Sequence, residues 1–271
     1  MASPASKYNY YLRSIFELLT GFDDPWSMVK IFLKISPPGI KTVRLREAGL
    51  SFLARSAMDV WSLKETFLDR FYERFGMPVQ DGWTILDIGG GIGEFTLFAA
   101  HKHPTNTVFA FEPYPESFDL LKANLELNGI DNVKAFAEAV WSENGYLKLD
   151  STAAEPSQFI SSAAEATPAG SDQTLVPAIT LTDVLAQNNL EACDLLKLDC
   201  EGAEFPILFS ASGELLGKIE RIILEYHDNA GEDTHQELAR YLSERGFEIR
   251  ITPNTVHAYL GYLFAWRIPK V

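Results

Sequence analysis

The sequence predicts an α/β fold built on an open, mainly parallel sheet. Two observations predict it. From residue 83 onward, short apolar runs alternate with amphipathic stretches, which is the pattern of consecutive strand–helix units. The first of these runs leads directly into a glycine-rich segment, 89–93, that opens a helix, as in Rossmann-like folds.

The N-terminal residues, 1–80, predict an extension in front of the main domain, 81–271. Periodic apolar patterns in this extension predict two short helices within 8–35, a hairpin at 43–55 and a longer helix at 61–75. The apolar faces of the two short helices leave three roles open. They pack on the main domain, cover a substrate pocket, or form the contact of a homodimer.

The main domain contains apolar runs with the length and composition of buried parallel strands. These strands are predicted at 84–88, 107–111, 133–137, 194–198 and 221–226. The amphipathic stretches between them predict helices at 94–100, 116–127 and 204–209. The end of the chain predicts a helix at 234–245 and a closing hairpin of strands at 247–251 and 258–267, giving seven strands with the last one antiparallel.

Residues 151–177 interrupt this regular pattern. They consist mainly of Ala, Ser, Thr, Pro and Gly with few large apolar side chains. Such a composition predicts a loop rather than a strand or helix. We expect this loop to act as a mobile flap.

Composition and charge exclude several classes of protein. The formal net charge of −14 would repel a phosphate backbone, so nucleic acid is excluded as a partner. Cys193 and Cys200 provide neither a disulfide framework nor metal-ligand spacing, which fits a reducing cytoplasm. Residues 1–10 do not resemble a signal peptide, and the apolar stretch 28–35 is too short for a transmembrane segment.

The strongest local signal is residues 85–93, Ile-Leu-Asp-Ile-Gly-Gly-Gly-Ile-Gly, where a buried strand runs into glycines. Glycines let the backbone turn tightly and approach a nucleotide closely, which a Cβ would block. This motif therefore predicts a cofactor-binding turn. Its candidate binding residues are Asp87, Gly89, Gly91 and Gly93.

The spacing within this turn distinguishes between cofactors. A dinucleotide-binding loop has the form G-x-G-x-x-G, but counting from Gly89 or Gly91 places Glu94 or Thr96 at the last glycine. A pyrophosphate at this helix start would also lie beside the Glu94 carboxylate, whose charge opposes it. A nucleoside without phosphate groups, such as S-adenosylmethionine, meets no such conflict.

Acidic residues follow the next two strands. Glu112, with Pro113 after it, ends the second strand about twenty residues beyond the glycines, where Rossmann units place the acid that binds the ribose hydroxyls. Glu112 would alternatively cap the next helix. Glu138 and Ala139 end the third predicted strand, where the adenine ring of the cofactor would lie.

Two further segments, 197–204 and 225–227, end the fourth and fifth strands and therefore face the same crevice. Asp199, Glu201 and His227 are candidates to take a proton from a nucleophilic hydroxyl, because histidine titrates near neutrality and a carboxylate can orient it. Asp199 is also a candidate cofactor ligand. The alternatives are structural: Glu204 serving a helix N-terminus, Lys197 pairing with an acid, and His227 as a satisfied loop residue.

Together these residues resemble FkbM-type methyltransferases, and the resemblance covers roughly residue 44 to the end. It rests on 59–72, 87–93, Glu112-Pro113, Asn124, Asn128, 181–183, 197–204 and 225–227. Gly90-Gly91 and Cys200 depart from the usual pattern, which has Ala-Asn and Val or Ile there.

The resemblance implies a class I methyltransferase fold and S-adenosylmethionine as cofactor. It also implies O-methylation of a hydroxyl on a small metabolite, sugar or natural product. No histidine-rich or multi-carboxylate spacing requires a metal, although Asp199 and Glu201 leave metal assistance open. Two rival functions are an NAD-dependent oxidoreductase, against which the missing third glycine argues, and a non-catalytic nucleoside-binding module.

Overall fold

The computed structural model describes residues 4–33, 35, 39–150, 159–160, 173–254 and 256–268. The chain begins with two helices, a hairpin and a third helix. These are α1 (Pro4–Gly21), α2 (Pro25–Phe32), β1 (Lys41–Arg44), β2 (Ser51–Ala54) and α3 (Ala57–Phe67). The predicted hairpin is confirmed, with antiparallel pairing of β1 and β2.

The predicted helix at 61–75 is wrong in its second half. α3 ends at Phe67, Arg70 adopts a left-handed backbone with φ of 54°, and the chain resumes as a π-helical turn at Tyr72–Gly76. The Lys64 carbonyl accepts from the backbone N–H groups of both Leu68 and Asp69, which ends the regular helix there. This break redirects the chain so that Tyr72 faces the main sheet.

The main domain carries the remaining helices and strands. In chain order they are β3 (Thr84–Ile88), α4 (Glu94–Lys102), β4 (Thr107–Phe111), α5 (Pro115–Leu127), β5 (Val133–Phe136), β6 (Ala139–Trp141), β7 (Gly145–Asp150), β8 (Phe159–Ile160), β9 (Gln173–Thr180), α6 (Leu181–Gln187), β10 (Leu195–Leu198), α7 (Glu204–Ser210), α8 (Gly213–Leu216), β11 (Arg221–His227), α9 (His235–Ser243), β12 (Glu248–Pro253) and β13 (Leu260–Trp266).

The central sheet has seven strands in the order β12-β13-β11-β10-β3-β4-β5. The pairs from β11 to β5 are parallel, whereas β13 runs antiparallel to both of its neighbours. This arrangement confirms the predicted Rossmann-like α/β fold with an antiparallel last strand. The order reverses between β3 and β10, so the carboxyl ends of these two strands border the crevice where such folds bind ligands.

A second sheet, of four strands in the order β6-β9-β7-β8, was not predicted. Strand β8 lies at Phe159–Ile160 and strand β9 begins at Gln173, so the prediction of a loop over 151–177 is wrong for residues 159–160 and 173–177. Leu147, Val176 and Ala178 are buried in the small core of this sheet, and that burial outweighs the loop-like composition. Most of the predicted loop, 151–158 and 161–172, lies outside the described residues.

The N-terminal extension packs against the main domain. Asn124 of α5 is fully buried; its side-chain oxygen accepts from the Leu53 backbone N–H at 2.7 Å, and its amide donates to the Ile92 carbonyl at 2.8 Å. Asn128 makes a matching pair of hydrogen bonds to Ser51. Strand β2 is thereby fixed beside α5, and α3 is held close to the start of α4.

Candidate active site

The turn after β3 is built from glycines in the left-handed region. Gly89, Gly91 and Gly93 have φ of 77°, 56° and 95°. The backbone N–H groups of Gly89 and Gly90 both donate to the Phe111 carbonyl at 3.0 Å. A Cβ on Gly89 would lie 1.9 Å from the Asp199 carbonyl oxygen, so this position admits only glycine. The turn therefore passes directly against the end of β10.

A buried ion pair supports this turn from below. Lys197 Nζ lies 2.9 Å from Asp87 Oδ1 and donates to the Gly89 carbonyl at 2.7 Å. Asp87 also accepts a 2.5 Å hydrogen bond from the Thr96 hydroxyl. Burial lowers the pKa of Lys197, but the charges of Asp87, Asp199 and Glu94 outweigh it and raise that pKa above its ordinary value. Asp87 is fully buried, so it holds the turn and has no surface for a ligand.

Glu112 closes the other side of the turn. One carboxylate oxygen accepts from the Gly91 backbone N–H at 2.8 Å, and the other accepts from the Tyr114 backbone N–H at 2.9 Å. Burial raises the pKa of Glu112 to about 7, against the lowering effect of these two hydrogen bonds. Glu112 thus links β4 to the glycine turn, and Pro113 follows it as a half-buried residue.

Glu94 occupies the start of α4. Its carboxylate accepts from the Ile92 backbone N–H at 3.1 Å and from the Ser62 hydroxyl at 2.6 Å. The carboxylate therefore already takes an N–H group that an anion at this helix start would use. Burial raises the pKa of Glu94 above its ordinary value, and the Ser62 hydrogen bond lowers it.

Asp199 lies at the end of β10, half-buried, and receives a hydrogen bond that sequence analysis missed. The Tyr72 hydroxyl donates to Asp199 Oδ2 at 2.7 Å. Burial, followed by the Asp199 charge, raises the pKa of Tyr72 well above its ordinary value, which keeps the hydroxyl protonated as a donor. Residue spacing carries no signal for a contact between positions so far apart in the chain, which depends on the break after α3.

His227 ends β11 between two carboxylates. Its Nδ1 lies 2.9 Å from Glu204 Oε1, and its Nε2 lies 3.3 Å from Glu201 Oε2. Burial lowers the pKa of His227, but its hydrogen bond to Glu204 and the charges of Glu204, Glu201 and Asp199 raise it to about 10. At neutral pH His227 is therefore an imidazolium in this arrangement.

Glu204 and Glu201 differ in their surroundings. Glu204 is fully buried and accepts from the backbone N–H groups of Gly202 and His227, both at 2.9 Å. It therefore serves the start of α7, as one alternative predicted, and also holds His227. Glu201 has a left-handed backbone with φ of 53°, a conformation that costs a non-glycine residue on the order of 1–3 kcal/mol. Such strain is often found at functional sites.

Two further acids stand near this group, and sequence analysis did not single out either as a site residue. Burial raises the pKa of Glu65, on α3, to about 7, and raises that of Glu225, on β11, well above its ordinary value. The Asp199 charge contributes to both shifts. Trp61 Nε1 donates to Glu65 at 2.8 Å, and the Tyr262 hydroxyl donates to Glu225 at 3.3 Å. The crevice is therefore acidic and lined by aromatic donors.

The placement of Glu138 and Ala139 at the end of the third strand is wrong. β5 ends at Phe136, and Ala139 begins β6 of the second sheet. The Ala139 side chain is buried against Leu147 and Val176, because the chain leaves the central sheet to join the smaller one. Glu138 lies in the short connection between β5 and β6, half-buried.

The described part of the chain has neither a metal-binding cluster nor a membrane-spanning helix. Within it, no group of three or more His, Cys, Asp or Glu side chains has the geometry to hold a metal ion. None of the helices in the same residues combines the length and the hydropathy needed to cross a bilayer. The cysteines Cys193 and Cys200 are both free thiols.

Comparison with known proteins identifies the family. A family model described as the methyltransferase FkbM domain matches residues 87–249. Methyltransferase 1 from Beauveria bassiana (strain ARSEF 2860) is 30% identical over 204 residues, covering 69% of this chain and 80% of that protein. The 31-O-demethyl-FK506 methyltransferase FkbM from Streptomyces tacrolimicus is 26% identical over 218 residues, covering 71% of this chain and 84% of that protein.

A solved structure shows the same fold. The crystal structure of methyltransferase FkbM from Methylobacillus flagellatus KT matches with a TM-score of 0.52 at 14% identity, covering 96% of this chain and 60% of that chain. The family match begins at Asp87 beneath the glycine turn, extends into β12, and includes Glu112, Asp199 and His227. Because this match spans more than half of the sequence, the chain belongs to the FkbM family of methyltransferases.

Proposed function

We propose that this protein transfers a methyl group from S-adenosylmethionine to a hydroxyl group of a small molecule. The observation that carries the proposal is Glu112, a buried carboxylate oriented by the N–H groups of Gly91 and Tyr114. An ionised carboxylate offers about four acceptor positions, so about two remain for the hydroxyls of a ribose. When bound, the cofactor supplies an electrophilic methyl group on a sulfonium.

The glycine turn fits a nucleoside without phosphate groups better than a pyrophosphate. Glu94 takes the Ile92 N–H and places a carboxylate where a phosphate would have to lie. The residues that would hold the cofactor are Gly89, Gly91, Gly93, Glu112, Pro113, Glu138 and Asp199. Asp87 supports them indirectly, through its ion pair with Lys197.

The relatives support a hydroxyl acceptor. The Streptomyces tacrolimicus protein is named as a 31-O-demethyl-FK506 methyltransferase, which favours an oxygen acceptor on a natural product for this chain as well. His227 would take the acceptor proton, or Asp199 would take it through a water. The N-terminal helices would exclude water from the crevice. The free thiols of Cys193 and Cys200 favour the cytoplasm as the compartment.

Calorimetry with S-adenosylhomocysteine tests cofactor binding. The wild-type protein should bind it, and Glu112→Gln should weaken binding by about tenfold or more, because the amide cannot accept from both ribose hydroxyls and both backbone N–H groups. Glu116→Gln is the matched control, since this carboxylate is 88% exposed one turn further along the chain. No heat from S-adenosylhomocysteine or S-adenosylmethionine at saturating protein would contradict the proposal.

The same titration, together with a methyl-transfer assay, distinguishes the proposed function from an oxidoreductase and from a non-catalytic module. Binding of NADH in preference to S-adenosylhomocysteine would support an oxidoreductase, which the position of Glu94 disfavours. A non-catalytic module would bind the cofactor but transfer no labelled methyl group to any of a broad panel of hydroxyl compounds. Transfer to a panel member, abolished by Glu112→Gln and retained in Glu116→Gln, is the expected result.

We also propose that α1 forms the contact of a homodimer. Ser14 and Leu18 face the protein, whereas apolar side chains on the opposite side of the same helix are solvent-exposed. These are Tyr11, Leu12, Ile15, Phe16 and Leu19. Trp26 of α2 is a further large apolar side chain that is solvent-exposed. A standard interface buries roughly 800 Å² per partner and is enriched in such side chains. The net charge of −14 disfavours an anionic membrane as the occupant.

A further inference from the structure

Both ring nitrogens of His227 contact a carboxylate. A histidine that acts as a base cannot retain both contacts. Nδ1 lies 2.9 Å from Glu204 Oε1, and Nε2 lies 3.3 Å from Glu201 Oε2. The ring itself is almost wholly buried. A base needs one nitrogen with a free lone pair facing the acceptor, so one of the two carboxylates must give way.

The two carboxylates differ in burial and in access to solvent. Glu204 is fully buried, and its Oε1 accepts from both the backbone N–H and Nδ1 of His227. Its other oxygen accepts from the Gly202 N–H. The Glu201 side chain is 39% exposed and projects from a left-handed turn that Gly202 continues with φ of 103°. Glu201 is therefore the carboxylate that solvent and an acceptor molecule can reach.

We propose that Glu204 is a positioning residue that fixes the His227 ring with its proton on Nδ1, and that Glu201 is a displaceable cap on Nε2. The acceptor hydroxyl replaces Glu201 at Nε2. This inference rests on the proposed function, because it assigns the steps by which the same site prepares its base.

The negative charges around His227 explain why displacement of Glu201 would change the pKa of the ring. Among the described residues, the titratable groups whose charges act on the ring include Asp199 at the end of β10, Glu201 and Glu204 before and at the start of α7, and Glu225 on β11, and these four are acids. With Glu201 in place they hold His227 as an imidazolium. Movement of Glu201 into solvent removes one of the two nearest negative charges and lowers the pKa of the ring.

The proton balance follows from this geometry. The Nε2 proton passes to the Glu201 carboxylate, which releases it to solvent and leaves His227 neutral. The acceptor oxygen then bonds to the methyl carbon as the carbon–sulfur bond breaks, and the bonding pair goes to sulfur. The acceptor proton goes to Nε2, and Glu201 carries it out after the product leaves. O-methylation releases one proton per turnover, and this path connects a buried ring to solvent.

Histidine NMR tests the proposal without any acceptor. In protein labelled with ¹⁵N in its histidines, the His227 signals are assigned by their loss in His227→Gln. In the wild type we expect a pKa well above the ordinary value of about 6.5 and a neutral form with the proton on Nδ1. In Glu201→Gln we expect that pKa to fall by about one unit or more with the Nδ1 tautomer retained. Glu214→Gln, which removes an exposed carboxylate from α8, should change neither.

Glu204→Gln should lower the pKa of His227 further and abolish the tautomer preference. The wild-type tautomer tests the same point if this variant fails to fold. A neutral wild-type form with its proton on Nε2 would overturn the role of Glu204, and a pKa unchanged within about 0.3 units in Glu201→Gln would overturn the cap. These outcomes do not depend on cofactor binding, so they are distinguishable from a failure of the calorimetry.

Discussion

Lys197 Nζ lies 2.9 Å from Asp87 Oδ1, and neither side chain is more than 3% exposed. The pair joins the carboxyl-terminal parts of two neighbouring parallel strands, β3 and β10, at the point where the sheet order reverses. Because Lys197 also donates to the Gly89 carbonyl, the glycine turn is fixed to the sheet by a buried cation. The geometry of the cofactor site therefore depends on residues that a ligand does not touch.

Removal of the cation alone should destabilise the protein strongly. Lys197→Met leaves Asp87 buried without a counter-charge, and we expect the free energy of unfolding in urea to fall by about 3–5 kcal/mol. The double variant Asp87→Asn with Lys197→Met should recover part of that loss, because it buries no unpaired charge. A single variant within about 1 kcal/mol of the wild type would show that the pair does not hold this part of the fold.

The Gly89 turn makes a prediction that separates steric overlap from backbone strain. Gly89→Ala would place a Cβ 1.9 Å from the Asp199 carbonyl at a φ of 77°. Gly129→Ala is the matched control, with a similar φ of 63° and no atom within 4 Å of the added Cβ. The control should lose about 1–2 kcal/mol from strain alone. Gly89→Ala should lose more and should also lose S-adenosylhomocysteine binding by calorimetry, whereas Gly129→Ala should retain it.

Stability should decrease as the pH rises through neutrality. Burial raises the pKa of both Glu112 and Glu65 to about 7 from 4.5. Between those values the folded protein retains protons that the unfolded chain has released, so the free energy of unfolding falls with increasing pH. The free-energy cost of ionising these two buried carboxyls is absent below their pKa in the unfolded chain and complete above their pKa in the folded protein.

Urea unfolding of the wild type and Glu65→Gln at several pH values between about 4.5 and 8 measures this effect. The variant should lose less stability over the interval, since the amide carries no proton to release. Parallel curves for the two proteins would contradict the raised pKa of Glu65. His227 adds a decrease of its own at higher pH, because its stabilising protonation is lost as the pH approaches about 10.

The central sheet was predictable because buried parallel strands have a simple signature. The runs at β3, β4, β10 and β11 are mainly apolar and largely buried, and the glycines follow the first of them directly. Glu112, Asp199, Glu201 and His227 could be placed at one edge for the same reason, since parallel strands share a carboxyl edge. The contacts of Glu204 and Glu201 with His227 join the segment after β10 to the end of β11.

The rest of the site depends on contacts between distant parts of the chain. Tyr72 contacts Asp199 because α3 ends at Phe67 and Arg70 adopts a left-handed backbone. No local sequence pattern predicts that break. Glu65 looks like an ordinary helical acid until Trp61 and the sheet edge bury it. The small sheet was missed because its strand β9 starts within a segment of loop-like composition.

The exposed face of α1 makes the last prediction, on oligomeric state. Phe16→Glu places a charge at a side chain that is 66% exposed in the single chain, so it should leave folding unchanged but oppose burial between two copies. We expect light scattering to give a dimer for the wild type and a monomer for the variant. Leu127→Glu, at a 48% exposed position on α5, is the matched control and should remain dimeric.

Two results would contradict the homodimer. One is a wild type that is monomeric at every concentration up to about 100 μM, well above the dissociation constant of a weak specific contact. The other is sedimentation of the wild type, but not of Phe16→Glu, with vesicles of zwitterionic lipid, which would assign the α1 face to a membrane surface instead. The N-terminal helix then lies in the interface plane, as amphipathic helices of peripheral proteins do.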